Sequence, residues 1–554
     1  MKYLIAVFLF FCTSSTTVAQ TVGLFQNTSQ SFDGYTIFSA YFGKETYMID
    51  NCGKLVHSWP SDMAGSRNPQ HLLEDGTLVR SGSVGNQAFG SSSSGGFEKL
   101  DWQGNVVWRY SLSDTNFVAH HDFIVLPSGN ILTAVWETRS TSERVNAGRN
   151  PANMNGSFWT DKIVELKPIG SDSAVVVWEW DIWDHLVQDF SPAANNFGVV
   201  SDHPELIDIN LMSNASGSWM HMNSLDYNPA LDQIVFSLRN FNEIMIIDHS
   251  TTTAEAASHS GGNSGKGGDI LFRWGNPANY GRGTTSDRQL FQQHDAKWIK
   301  HGVYTGAISI FNNGLGRPAG PHSSVEVVVP PLLPGNLYYL DQVQPFGPPT
   351  PSWTYPATGD TGFYSATMGG VTVQPNGTFL ICEGGKGKFF EVDSAGNTVW
   401  EYISPVTQTG PVSQGSTGNN LGVFKISRYG VDHPGLSSQQ LLPGAPIELN
   451  PVPYQCVTFP TTSVKDDMHL VSESLVVAPN PTRGFSTLRV NAIQAATWHA
   501  RFIDVAGRII SQNKVQLKSG LNEFRMDFSG FVPGFYIVEM TSGTKKLHTN
   551  IVVE

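Results

Sequence analysis

Three histidines in this chain stand in the same phase relative to a strand-like segment: His121 in VAHHDFIVLPSGN, His221 in WMHMNSLDYNP and His294 in FQQHDAKWIK. Asn223 follows His221 by two residues, so the two share one side of a strand. Arg239, in FSLRNFNEI, falls on the following strand of that unit. Neutral imidazoles, a guanidinium fork and an amide, with no convergent carboxylate pair, suit transfer of an anionic group better than glycoside hydrolysis or proton abstraction. Sulfuryl or phosphoryl transfer is the chemistry such a set can perform. Each histidine alone reads as an ordinary satisfied polar residue, and the shared phase singles them out. Three imidazoles also suit zinc, but a bound ion would compete with nucleophilic attack. No metal and no cofactor is expected.

For these residues to meet, the strands that begin with them must converge, and the tryptophans supply the arrangement. LVHSWP holds Trp59, NVVWRY Trp108, VVVWEW Trp178, ILFRWG Trp274, PSWTY Trp353 and NTVWEY Trp400. Several close a hairpin with Gly or Asn at its turn, as in KLDWQGNVVWRY and EVDSAGNTVWEY. Upstream of most lies a second hairpin, as in HDFIVLPSGNILTAVWE and GVTVQPNGTFLICEGG. Two hairpins per unit make four strands, and such units recurring at ~40 residues or more predict a β-propeller of six blades over residues 20–459. The first strand of each blade lines the axis, so the three histidines face one mouth of the channel. Insertions are expected near 181–218, 249–268 and 312–350. GVFKISRYGV is the segment placed to close the ring.

Composition agrees: 40% hydrophobic, 11% aromatic and only 15% charged residues, with 55 Gly and 31 Pro, describe many short strands and tight turns. A net charge of −13 without basic clusters argues against nucleic acid as a partner. Residues 1–19 read as a cleaved signal peptide, and no later segment approaches the ~20 apolar residues of a membrane span. Without the leader, Cys52, Cys382 and Cys456 remain, which allows one disulfide whose pairing the spacing leaves open. GGNSGKGG, at residues 261–268, lacks the spacing and terminal hydroxyl of a phosphate loop and reads as a glycine-rich surface loop. Adjacent cysteines of the kind quinoprotein propellers use are absent from the sequence.

After a linker at 460–473 the pattern changes to alternating strands over 474–554, predicting a small C-terminal β-sandwich and an all-β protein throughout. Its run of APNPTRG, DVAGRII, LKSGLN and VPGFYIV resembles the C-terminal sorting domain of Bacteroidetes type IX secretion cargo. That resemblance implies passage through the periplasm, engagement of the type IX secretion machinery, and a final location secreted or on the outer-membrane surface.

The region from about 30 to 430 resembles the bacterial arylsulfate sulfotransferase family through HPELIDIN, WMHMNSLDYN, FSLRNFNEIMIIDHSTT, GGDILFRWGNP, FQQHDAKWI, LICEGG and TVWEY. The family are six-bladed propellers that move sulfuryl groups between phenols without a nucleotide. The resemblance implies a ping-pong route with His294 sulfated, His221 and Asn223 as the family's HxN pair, and Arg239 as its downstream arginine. His121 matches the early histidine, with adjacent His120 as the alternative, and Thr367 or Ser365 in FYSATMGG matches a late threonine that contacts the sulfuryl group. The closely spaced cysteine pair of some members is missing. A non-catalytic, secreted ligand-binding propeller is the rival expectation and has no need of His294.

Overall fold

Each tryptophan-bearing segment is a strand at the outer side of an antiparallel sheet. The computed structural model describes residues 19–459 and 474–553, apart from 64, 66–68, 90–92, 155, 213–216, 334, 357–362, 417–420, 479–481, 483, 493–494, 505–507, 519 and 544. The expected leader, but for residue 19, and the expected linker lie outside the described residues. The chain divides into two compact units, Met1–Pro460 and Thr461–Glu554.

The first unit is a β-propeller. Six strands each form one edge of a separate sheet: β1 (His71–Leu72), β2 (Phe117–Val125), β3 (Met222–Asn228), β4 (His294–Trp298), β5 (Gly370–Val373) and β6 (Ser427–Gly430). Hydrogen bonds step from one of these strands or its flank to the next. Leu72 N donates to Tyr429 Oη, His71 Nε2 to Phe123 O, Leu225 N to Asp122 Oδ2, Trp298 N to Asp226 Oδ2 and Val371 N to Asp295 Oδ2, all at 2.9–3.0 Å. Gly369 N to Phe424 O, at 3.1 Å, returns to the β6 flank and closes the circuit.

At the opposite side the tryptophans fasten neighbour to neighbour. Trp108 Nε1 donates to Ser173 O, Trp178 to Thr251 Oγ1, Trp274 to Pro348 O, Trp353 to Ser394 O and Trp400 to Asn51 O, at 2.7–3.1 Å. On these five outer strands the indole donor is satisfied on the following blade, whereas the buried Trp59 Nε1 has no partner among the described residues. The hairpin turns follow from composition. In DWQGN, Asp101 Oδ1 accepts from Asn105 N at 2.8 Å while Gly104 adopts φ +83°, a left-handed conformation that glycine enters without penalty.

Ring closure uses both ends of the unit. β6, from GVFKISRYGV, completes the sheet of Gly34–Phe38, Thr46–Ile49 and Leu55–Trp59, and Gly23–Asn27 adds a fifth strand beside Thr398–Ile403. Cys52 and Cys456 form the disulfide, 404 residues apart, and Cys382 is a buried thiol.

The second unit is a sandwich of a three-stranded sheet (Ser474–Ala478, Phe485–Ala492, Gly520–Asp527) and a four-stranded sheet (Ala496–Asp504, Ile509–Leu517, Gly534–Ser542, Lys545–Val553). Leu488, Val490, Trp498, Phe502, Val538 and Ile551 fill its core.

Candidate functional site

The inner strands are not regular where the histidines sit. β2 shifts register between His120 and Phe123, with His121 at φ +52°; β4 shifts between His294 and Lys297, with Asp295 at φ +53°; and His221, at φ +61°, precedes a shift between Met222 and Ser224. These are β-bulges, devices that re-aim side chains at a sheet's rim. A left-handed conformation on His or Asp is strained by ~1–3 kcal/mol and recurs at functional positions.

His294 is 3% exposed, and its Nδ1 lies 2.6 Å from Asn313 Oδ1. Asn313 donates both amide hydrogens, to Ser365 O and Met368 O at 2.8 Å each. Its oxygen must therefore face His294 as acceptor, so Nδ1 carries the hydrogen and the lone pair stands on Nε2. Burial first, then the Arg239 and Lys425 charges, outweigh the Asn313 and Gln292 contacts and push the His294 pKa down to about 3. The ring is neutral.

His221 is held well below its ordinary pKa by burial, then by Arg239, His120 and His294. Its ring centroid lies 4.4 Å from that of His121. His120 is fully buried, stacks on Trp136 at 4.1 Å, and places Nε2 3.0 Å from Asp161 Oδ1 and Nδ1 2.9 Å from His121 Nδ1. With His120 Nε2–H directed at Asp161, its Nδ1 is the acceptor and His121 Nδ1 the donor. Of the adjacent pair, His121 is the one against His221, and His120 props it from behind.

Arg239 follows Gln233–Leu238, its backbone N donating to His221 O at 3.1 Å. Its guanidinium bonds Gln292 Oε1 and Asn240 Oδ1, and among the described residues no carboxylate lies within ion-pair distance of it. An uncompensated, half-buried guanidinium beside neutral imidazoles is an anion-binding arrangement. Asn223 is fully buried; its Nδ2 donates to Gln293 O at 2.7 Å and its Oδ1 has no partner. Thr367 is exposed on the turn that anchors Asn313, while Ser365 Oγ is spent on Thr367 O and Gly385 N.

Beneath the histidines sits a group the sequence reading did not single out. Lys425, 1% exposed in its side chain, places Nζ 2.7 Å from both Asp122 Oδ2 and Asp295 Oδ1. Burial alone would pull its pKa down; the two carboxylates outweigh this and raise it. Asp122 and Asp295 directly follow His121 and His294, so the ammonium ties two bulges together. The His-Asp dipeptide shared by VAHHDF and QQHDAK was the available signal. Asn313, in FNNG, carried none beyond that of a turn.

A family model for arylsulfotransferase (ASST) matches residues 18–427, and one for a secretion system C-terminal sorting domain matches residues 476–554. The sorting domain marks the protein for export through the periplasm to the cell surface or the medium. No curated protein matches. Among solved structures, a Bacteroides caccae protein of unknown function is 12% identical at a TM-score of 0.37, covering 72% of this chain and 99% of that chain. The periplasmic gluconolactonase of Pseudomonas aeruginosa is 12% identical at a TM-score of 0.31, covering 89% and 99%. No helix among the described residues is long and apolar enough to cross a membrane.

Proposed function

The chain belongs to the arylsulfotransferase family, and on that premise we propose that it moves a sulfuryl group from an aryl sulfate to a phenolic acceptor, without a nucleotide, through a sulfohistidine on His294. His294 Nε2 attacks sulfur, the S–O bond to the aryl group breaks, and the electron pair leaves on phenolate. The N–S bond holds the sulfuryl group while the phenolate departs. A second phenol, losing its proton to a neighbouring neutral imidazole, attacks the same sulfur; the N–S bond breaks, His294 returns to its starting form, and the imidazole passes its proton through solvent to the departed phenolate. Arg239, His221, His121 and Asn223 are assigned to the sulfuryl oxygens and the phenolate, with His120 orienting His121 and Thr367 as the late threonine that contacts the sulfuryl group.

The observation that carries this reading is the anchoring of His294: a neutral ring, hydrogen-bonded at Nδ1, with its lone pair at Nε2 beside a guanidinium that no described carboxylate neutralises. It is tested by mixing the protein with 4-nitrophenyl sulfate and no acceptor. The expected result is one burst of 4-nitrophenol and a sulfuryl mass on the peptide Phe291 to Trp298, both lost in His294→Asn. An adduct on His221 or His121 would move the nucleophile, and no burst with several activated aryl sulfates would favour a binding propeller.

A further inference from the structure

The 181–218 and 249–268 insertions bring His185 and His259 against Asp269, which directly follows the second of them. His185 Nδ1 lies 2.9 Å and His259 Nδ1 2.7 Å from the same atom, Asp269 Oδ1. His185 is fully buried, with its ring parallel to that of Trp180, and its Nε2 is 2.8 Å from Ala256 O. A carbonyl oxygen only accepts, so Nε2 carries the hydrogen and Nδ1 is the nitrogen turned toward Asp269. A ring N–H held by a backbone carbonyl, leaving the other nitrogen to face an ion, is how metal-ligating imidazoles are oriented.

The spacing fits as well. Bonds of ~2.0–2.1 Å in a tetrahedral arrangement place neighbouring ligand atoms ~3.3 Å apart, so the ion needs the nitrogens to open from the carboxylate oxygen by only about half an ångström. The glycine-rich segment delivers the carboxylate: a Cβ on Gly268 would sit 1.9 Å from Ala256 O and 2.5 Å from His185 Nε2, so no larger residue lets the chain pass. Trp180 Nε1 donates to Gly268 O at 2.7 Å and fixes that passage. His259, largely exposed, lies on the wall of a cavity of about 950 Å³ with Trp183, Asp184, Asn196, Phe197 and His203, which gives an ion an entry path and room for water ligands.

We propose that His185, His259 and Asp269 form a site for a single divalent ion of zinc-like softness, its remaining positions taken by water, which fastens the 257–268 excursion to the turn at 182–187. Zinc is the probe: the untagged full-length protein, stripped with chelator, is titrated by calorimetry, and cobalt substitution is followed by visible absorption. The expected result is one equivalent bound with a raised melting temperature. His259→Ala, whose exposed ring is not needed for folding, weakens binding at least ~tenfold, and Asp269→Asn does the same. His294→Asn leaves the equivalent in place, which separates this site from the channel histidines. Absence of saturable binding, unchanged affinity in His259→Ala, or loss of the equivalent in His294→Asn overturns the proposal.

Discussion

Asn313 touches the proposed nucleophile without touching its substrate, so replacing it isolates the value of holding one imidazole tautomer. In Asn313→Ala the 2.6 Å bond to His294 Nδ1 is lost. While the ring is neutral such a bond contributes ~0.5–1.5 kcal/mol; as Nε2 bonds to sulfur the ring becomes cationic, and the same bond strengthens to ~1.5–3 kcal/mol. The burst rate constant should therefore fall by the difference, ~1–1.5 kcal/mol or roughly tenfold, at ~1.4 kcal/mol per factor of ten. Stability should fall by about 1–3 kcal/mol, because Ser365 O and Met368 O lose their amide donor. Rapid-mixing measurement of 4-nitrophenol release, with denaturant unfolding alongside, separates the two effects. Asn313→Asp supplies a spectroscopic and kinetic contrast: an anion beside Nδ1 raises the His294 pKa, so the burst amplitude gains a pH dependence. A burst rate within about threefold of wild type in Asn313→Ala, with the stability loss present, would refute the tautomer argument.

Arg239→Lys keeps the charge but not the planar fork, so the burst should slow while the adduct still forms; an unchanged rate would remove Arg239 from the sulfuryl site. His294 binds its proton at about pH 3 when folded and near 6.5 when unfolded, so its contribution is intact above pH 6.5 and is lost as pH falls, by ~1.4 kcal/mol per unit. Unfolding free energies measured from pH 7.5 to 4.5 should be that much flatter in His294→Asn, and parallel slopes would contradict the burial argument. Opening the Cys52–Cys456 link, which spans 404 residues, should cost ~2–5 kcal/mol, read as a lowered melting temperature in Cys456→Ser; an unchanged value would show that the strands alone hold the ring.

The propeller was legible because its repeat is built from residues that have few alternatives. On five of the outer strands a tryptophan hands its indole donor to the following blade, and the Asp–Gly–Asn turns need a left-handed residue, so both recur visibly. His121, His221 and His294 were legible through their phase on the inner strands. What spacing could not supply is the cross-chain chemistry: Lys425 meets Asp122 across 303 positions, and Cys52 meets Cys456 across 404. The bulges were equally silent, since nothing in VAHHDF tells which residue turns left-handed. The bulge at His121, with Asp161 and Trp136 holding His120, decides which of the two faces His221.

The closing strand β6 has a consequence for timing. Lys425 lies two residues ahead of it and is the cation that joins the Asp122 and Asp295 bulges. A chain emerging from its N-terminus thus carries all the proposed reactive histidines long before it has the lysine that locks their strands in register. The histidines come early in the chain and the lysine of their scaffold comes late. On the proposed function, a product ending before residue 425 retains every histidine named above yet should transfer nothing.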